Sequence, residues 1–231
     1  MTSLSVPQMS HTGQQTDIAA IFDVDNTLLP GQASEVRFFR FLWKRGLVGW
    51  REIRESAGWA LRRMPPLSLQ PLRERKLYLA GKDAGDVESL AEEFCKGEIF
   101  PRLARQGLTR MDEHRRAGHH LVLVTGSLDF LVAPLAALLD VSTVLATKLE
   151  QDQERFTGHV RAPLPYGPGK RELIARLTRE CRLDLARSFA YGDSPGDVEL
   201  LQMVGHPLVV NPIRGMASIA RRHGWPVQRW R

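Results

Sequence analysis

The 231-residue sequence predicts an α/β fold: a parallel sheet covered on both faces by helices, with a helical insertion after the first strand. Two observations carry this expectation. Short apolar runs that end in a turn signal or a polar cluster recur along the chain, and most precede a segment with helical spacing. The stretch between the first two runs is too long for one crossover.

The runs are Ile18–Phe22 before Asp23, His120–Val124 before Thr125-Gly126-Ser127, Thr143–Ala146, Ser188–Tyr191 before Gly192-Asp193-Ser194, and Pro207–Val210 before Asn211-Pro212. Each has the length of a strand. Ligands of such sheets bind beyond the carboxyl ends of the strands, so Asp23, Thr125, Asp193 and Asn211 are expected around one crevice. Between the first two runs, Val36, Phe39, Leu42 and Trp43 fall at helical spacing, and Pro65-Pro66 and Gly81 are breaks. The helix around Pro101–Ala117 returns to the sheet, and a small hairpin is expected around Phe156-Thr157-Gly158-His159. The chain thus divides into a floppy tail (1–16), a core (17–30 and 99–231) and a helical cap (31–98).

An apolar content of 43% with 25% charged residues matches ordinary globular proteins and excludes a disordered or fibrous chain. Cys95 and Cys181 show no metal-type spacing; they read as reduced thiols of a cytoplasmic protein and exclude a disulfide scaffold. The longest apolar runs, such as Leu121–Val124 and Leu131–Leu139, fall far short of the ~18–20 residues that span a bilayer. Met1–Asp17 is polar and lacks the apolar region of a secretory signal.

The formal charge of +6 is unevenly placed. Val36–Lys76 holds eleven basic residues against three acids, a local +8 that leaves −2 for the rest of the chain. Most of these cations read as solvated helix faces, with one or two arginines able to take a substrate carboxylate or second phosphate. Their simplest use is to attract a small anion.

Asp23-Val24-Asp25-Asn26-Thr27 puts two carboxylates at the mouth of the sheet, able to hold a divalent cation or to divide the work of nucleophile and general acid/base. A calcium loop of the EF-hand type starting at Asp23 fails, because Leu28 and Ser34 stand where Gly and Glu are needed. Gly192-Asp193-Ser194-Pro195-Gly196-Asp197 adds a third oxygen ligand in Asp193 and, one helical turn on, Asp197 to brace a ligand or a lysine; a turn with an N-cap is the plainer alternative. Thr125-Gly126-Ser127 is expected to end the second strand and open a helix, an anion-binding arrangement. Lys170, after Pro168-Gly169, opens a helix over Arg171–Arg179, where the dipole disfavours a cation unless a phosphate or a buried carboxylate is its partner. Lys148 is its competitor for that role.

In this order and at these positions, Asp23-x-Asp25-x-Thr27, Thr125, Lys170 and Gly192-Asp193-Ser194-x-x-Asp197 resemble the four motifs of the haloacid dehalogenase superfamily. The insertion resembles the cap of its phosphoserine-phosphatase-like subfamily IB, and the similarity runs from Ile18 to Arg231, through Asn211-Pro212, Ala220 and Gly224-Trp225-Pro226. The resemblance implies a Rossmann-like parallel sheet (the HAD fold) with a C1-type cap, and a phosphatase. Asp23 would form an aspartyl-phosphate, and Asp25 would protonate the leaving oxygen and then activate water. Mg2+ would be held by the Asp23 carboxylate, the Asp25 backbone carbonyl and Asp193, with Asp197 supporting, while Thr125, the Gly126 N–H and Lys170 hold the phosphoryl oxygens. Asp25 itself separates phosphatases and phosphomutases from dehalogenases, which lack this acid/base, and from transport ATPases, which carry Thr; the cap favours a phosphatase.

The expected substrate is a small phosphorylated metabolite, phosphoserine-like or histidinol-phosphate-like, with no nucleic-acid partner. A phospholipid head group, or a basic nucleic-acid- or membrane-binding protein with relict aspartates, are the alternatives. Glu35 is the nearest candidate for the cap glutamate that meets the substrate amine in phosphoserine phosphatases, although Gly31-Gln32-Ala33 sets it further along than the usual spacing.

Overall fold

A computed structural model describes residues 17–52, 54–55, 58 and 75–231. The expected tail 1–16, the expected Pro65-Pro66 break and Arg62, Arg63, Arg73 and Glu74 of the basic tract lie outside the described residues.

A six-stranded parallel sheet has the order β3-β2-β1-β6-β7-β8. Its strands are β1 (Ala19–Phe22), β2 (His120–Leu128), β3 (Thr143–Thr147), β6 (Phe189–Gly192), β7 (His206–Val210) and β8 (Val227–Gln228). All four residues of β1 are buried, because helices cover both faces of the sheet. Ala20 and Phe22 enter one apolar cluster, and Ala19 and Ile21 the other, as the two-residue period of a strand requires. The first cluster takes in α1 (Ser34–Lys44), α2 (Ala84–Phe94), α3 (Arg105–Arg116) and α4 (Asp129–Leu138). The second takes in α5 (Pro168–Cys181), the short α6 (Val198–Leu201) and α7 (Met216–His223). The chain runs outward through β2 and β3, then returns to the other side of β1, so the strand order reverses there and a crevice opens at its carboxyl end.

Four features differ from the sequence-based expectation. The strand β2 runs on to Leu128 with a register shift after Val124, so Thr125-Gly126-Ser127 form an irregular strand end and not a helix N-terminus. Local hydrogen bonds explain this: the Ser127 N–H donates to Thr125 Oγ1 (3.1 Å), and Thr147 Oγ1 donates to the Gly126 carbonyl (2.7 Å). The hairpin of β4 (Leu149–Asp152) and β5 (Arg155–Val160) turns at Gln153-Glu154, both at positive φ, and Thr157-Gly158 lies inside the second strand. Helix α1 buries Ser34, Phe38 and Leu42, four residues apart, whereas Val36 is 44% exposed. Finally, β8 adds a two-residue strand beside β7 that periodicity is too short to reveal.

The hairpin supports the return of the inserted segment. Lys76 N–H donates to the Gly158 carbonyl (2.7 Å), Gly81 N–H to that of Phe156 (2.7 Å) and Ala84 N–H to that of Glu154 (2.8 Å). Residues 75–84 therefore lie along β5, with bridges at Arg75–His159 and Asp83–Arg155. Helix α2 then starts from Asp83, whose side chain accepts the Asp86 N–H.

Beneath the sheet, His114 of α3 is buried among Phe22, Phe189 and Tyr191. One ring nitrogen meets the Tyr191 hydroxyl at 2.6 Å and the other His119 at 2.8 Å. Burial pushes its pKa down to about 4, with His119 and Arg110 adding to the effect. Above pH ~6.5 the imidazole is neutral in both the folded and the unfolded chain. As pH falls from there towards 4 the unfolded chain takes up a proton that the folded one refuses, so the folded state loses stability. Denaturant unfolding of the wild type and of His114→Gln across this window is expected to show the wild type losing about 2–3 kcal/mol relative to the variant; a constant difference would contradict the burial of a neutral His114.

Candidate active site

Asp23 directly follows β1, and its N–H donates to the Tyr191 carbonyl (2.9 Å), so the ladder to β6 carries the carboxylate just past the strand end. Asp193 follows β6 and Asn211 follows β7 in the same way. Asn26, at φ 59, donates from Nδ2 to Asp193 Oδ2 and to the Asn211 carbonyl, both at 2.9 Å, and Asn211 Nδ2 donates back to the Asn26 carbonyl (2.9 Å). This amide exchange ties the first acidic loop to the loops after β6 and β7.

At the centre, the fully buried Lys170 donates from Nζ to Asp23 Oδ1 (2.6 Å), Asp197 Oδ1 (2.5 Å) and the Val124 carbonyl (3.2 Å). It stands in the first turn of α5, against the dipole, and the two carboxylates offset that cost. Asp197 is braced on its other oxygen by the N–H groups of Asp193 and Ser194 and by the Ser194 hydroxyl, a capping box. The capping and bracing readings of Asp197 therefore describe one arrangement. Gly192 is needed there, since a Cβ would lie 2.5 Å from that of Asp197.

Asp25 is held differently. Its Oδ1 accepts the Ser34 N–H at the start of α1 (2.7 Å), and its Oδ2 accepts the Ser127 hydroxyl (2.5 Å). Helix α1 has no side-chain cap from its own Ala33, so Asp25 supplies the acceptor at its N-terminus from across the crevice.

One cavity of about 670 Å3 is lined by Asp23, Asp25, Glu35, Thr125, Gly126, Lys170, Asp193 and Asp197, whereas Asn211, expected around the same crevice, does not line it and bonds instead to Asn26 and to the Trp230 N–H. Lys148 is elsewhere, lining a separate cavity beside Arg161 and Arg176. Glu35 has both oxygens engaged, by Lys76 Nζ (2.7 Å) and the Tyr78 hydroxyl (3.1 Å). The sequence offered no signal for those two partners, or for Ser127 and Asn26 as the groups that hold Asp25 and Asp193. The Thr27 hydroxyl is buried with no hydrogen-bond partner among the described residues.

Oxygens of Asp23, Asp193 and Asp197 lie within 4.8 Å of one another. Three carboxylates against one ammonium leave two negative charges in a buried space. Burial raises the Asp23 pKa well above the usual carboxylate range, with Lys170 opposing and Asp197 and Asp193 adding. Asp193 is pushed up to about 7, first by burial and then by Asp197, against the hydrogen bond from Asn26. Hard oxygen donors with a surplus of two charges fit a divalent cation such as Mg2+. Asp197 has its oxygens committed to four donors, which leaves Asp23 and Asp193 as the better ligands.

The family described as haloacid dehalogenase-like hydrolase matches residues 20–202. A Streptomyces azureus protein named for inhibition of morphological differentiation is 32% identical over 90% of this chain and 77% of its own length. A Mycobacterium tuberculosis phosphoserine phosphatase is 30% identical over 92% and 71%, and a Neisseria meningitidis histidinol-phosphatase 28% identical over 90% and 96%. Among solved structures, a Bordetella pertussis protein of unknown function superposes with a TM-score of 0.79 at 30% identity, over 92% of this chain and 98% of that one. A phosphoserine phosphatase in a phospho-aspartyl analogue state superposes at 0.64 and 17% identity, over 92% and 93%, a likeness of fold.

The lysine bridge makes a stability prediction. In the presence of a chelator, Lys170→Met strands the Asp23 and Asp197 carboxylates and is expected to cost about 3 kcal/mol in denaturant unfolding; an unchanged midpoint would contradict the bridge.

Proposed function

The chain belongs to the haloacid dehalogenase-like hydrolase family, and we propose that it is a Mg2+-dependent phosphatase that hydrolyses a small phosphorylated metabolite through an aspartyl-phosphate on Asp23. The observation that carries this reading is the set of Asp23, Asp25 and Lys170 around one cavity, with the two carboxylates held by different partners. In this reading residues 17–30 and 99–231 form the catalytic core and 31–98 the cap.

Different holding supports different roles. Asp23, oriented by Lys170 on one oxygen, attacks phosphorus with the other; the ester P–O bond breaks, and the departing oxygen takes the proton of the Asp25 carboxyl. Asp25 then takes a proton from water, whose oxygen bonds to phosphorus as the bond to Asp23 breaks, giving inorganic phosphate and restoring both carboxyl groups. The Ser127 hydroxyl and the N-terminus of α1 fix the Asp25 carboxyl for both proton transfers. The Thr125 hydroxyl and the Gly126 N–H bind the phosphoryl oxygens, and the Lys170 ammonium, its three donors on Asp23, Asp197 and the Val124 carbonyl, supplies positive charge beside them. Asp23, the Asp25 backbone carbonyl and Asp193 would hold Mg2+, with Asp197 supporting; when bound, the ion supplies positive charge to the phosphoryl group during transfer.

The relatives' names support a small phosphomonoester and make phosphoserine and histidinol phosphate the first compounds to assay. Among the described residues no helix is long and apolar enough to cross a membrane. The intact acidic set with its lysine argues against relict aspartates.

With an aryl phosphate and Mg2+, Asp23→Asn is expected to lower kcat by at least about 10³-fold and Asp25→Asn by about 10²–10⁴-fold. Chelation should abolish turnover and Mg2+ restore it. A wild-type rate in Asp23→Asn would exclude this nucleophile.

A further inference from the structure

The cavity wall away from the acidic cluster carries its own charge pair. Glu35, in the first turn of α1, accepts from Lys76 on one oxygen and from Tyr78 on the other. The pair is largely removed from water: Lys76 is 7% exposed, and the Glu35 side chain 21%. The backbone of Lys76 is fixed at both its polar groups, its N–H bonded to the Gly158 carbonyl of β5 and its carbonyl accepting the Leu79 N–H. Burial, with Glu35 beside it, raises the Tyr78 pKa, so the phenol keeps its proton and remains a donor. On the same helix, Val36 and Phe39 add apolar surface to the cavity lining, and Phe39 packs edge-on against Tyr78 at 5.4 Å.

A carboxylate on such a wall is the natural anchor for a cationic leaving group, and here it is already neutralised. An ammonium on the substrate would meet a carboxylate whose charge Lys76 already balances: sharing it sets two cations against one anion, and displacing Lys76 leaves a buried cation without its partner. An apolar leaving group needs no such exchange and gains by covering Val36 and Phe39. Resting on the phosphatase reading above, we propose that Lys76 and Tyr78 quench Glu35 and make this wall select phosphomonoesters whose leaving group has an apolar body and no ammonium. The cavity of about 670 Å3 is in the range that holds an aromatic or branched alkyl group beside the phosphate. This would set the chain apart from the phosphoserine and histidinol-phosphate relatives, whose named substrates both carry an amine.

The test uses the full chain with Mg2+ and two esters that differ by one ammonium group, phenylpropyl phosphate and phenylalaninol phosphate. The wild type is expected to prefer the uncharged leaving group by at least about tenfold in kcat/KM, the scale of one lost pairing. Lys76→Met, which releases Glu35, should shift that ratio towards the ammonium ester by about tenfold. Glu35→Gln should not penalise the ammonium ester selectively, and this arm decides the matter if Lys76→Met does not fold. A wild-type preference for phenylalaninol phosphate that Glu35→Gln abolishes would overturn the proposal and leave the phosphatase standing. Hydrolysis of neither ester, nor of an aryl phosphate, would overturn the phosphatase reading itself.

Discussion

The ammonium of Lys170, buried between Asp23 and Asp197, is the contact on which the site depends. Its two carboxylates come from opposite sides of the strand-order reversal, one after β1 and the other after β6. The buried cation neutralises part of a charge cluster that the sheet otherwise forces together. It does not neutralise all of it, and the raised pKa values of Asp23 and Asp193 record the remainder. A site left with surplus negative charge, yet built to receive a phosphoryl dianion, needs a further cation in the same space.

A second constraint follows from Asp25. Its Oδ1 accepts the Ser34 N–H at the N-terminus of α1, so the group read as acid/base is also the pin that docks that helix onto the core. The far end of that segment is fastened independently, by backbone pairing of residues 75–84 with β5. Glu35 sits beside the first attachment and Lys76 and Tyr78 within the second, so the two bring to the cavity residues about forty positions apart.

The sheet was legible because its strands are short apolar runs that stop at polar residues; β1, β3, β6 and β7 lie within one or two residues of the expected runs. The acidic residues and Lys170 were legible because an aspartate straight after a strand, or a lysine in a helix's first turn, needs a chemical reason. Other features were hidden for physical reasons. The extension of β2 through Thr125-Gly126-Ser127 depends on hydrogen bonds to Thr147 and within the segment, which no local pattern encodes. The apolar stripe Val36, Phe39, Leu42, Trp43 mixed two faces of α1, one buried and one facing the cavity. The pairing of Glu35 with Lys76 is tertiary, and in the sequence that lysine is one more member of a basic tract.

The central claim is electrostatic: the fold leaves the buried aspartates with surplus negative charge that a divalent cation balances. Calorimetric titration of the chelator-treated chain with Mg2+ tests it most directly. The account predicts saturable binding of one ion per chain, lost in Asp193→Asn and retained in Glu35→Gln. Absence of saturable binding, or binding that Asp193→Asn leaves intact, would contradict it.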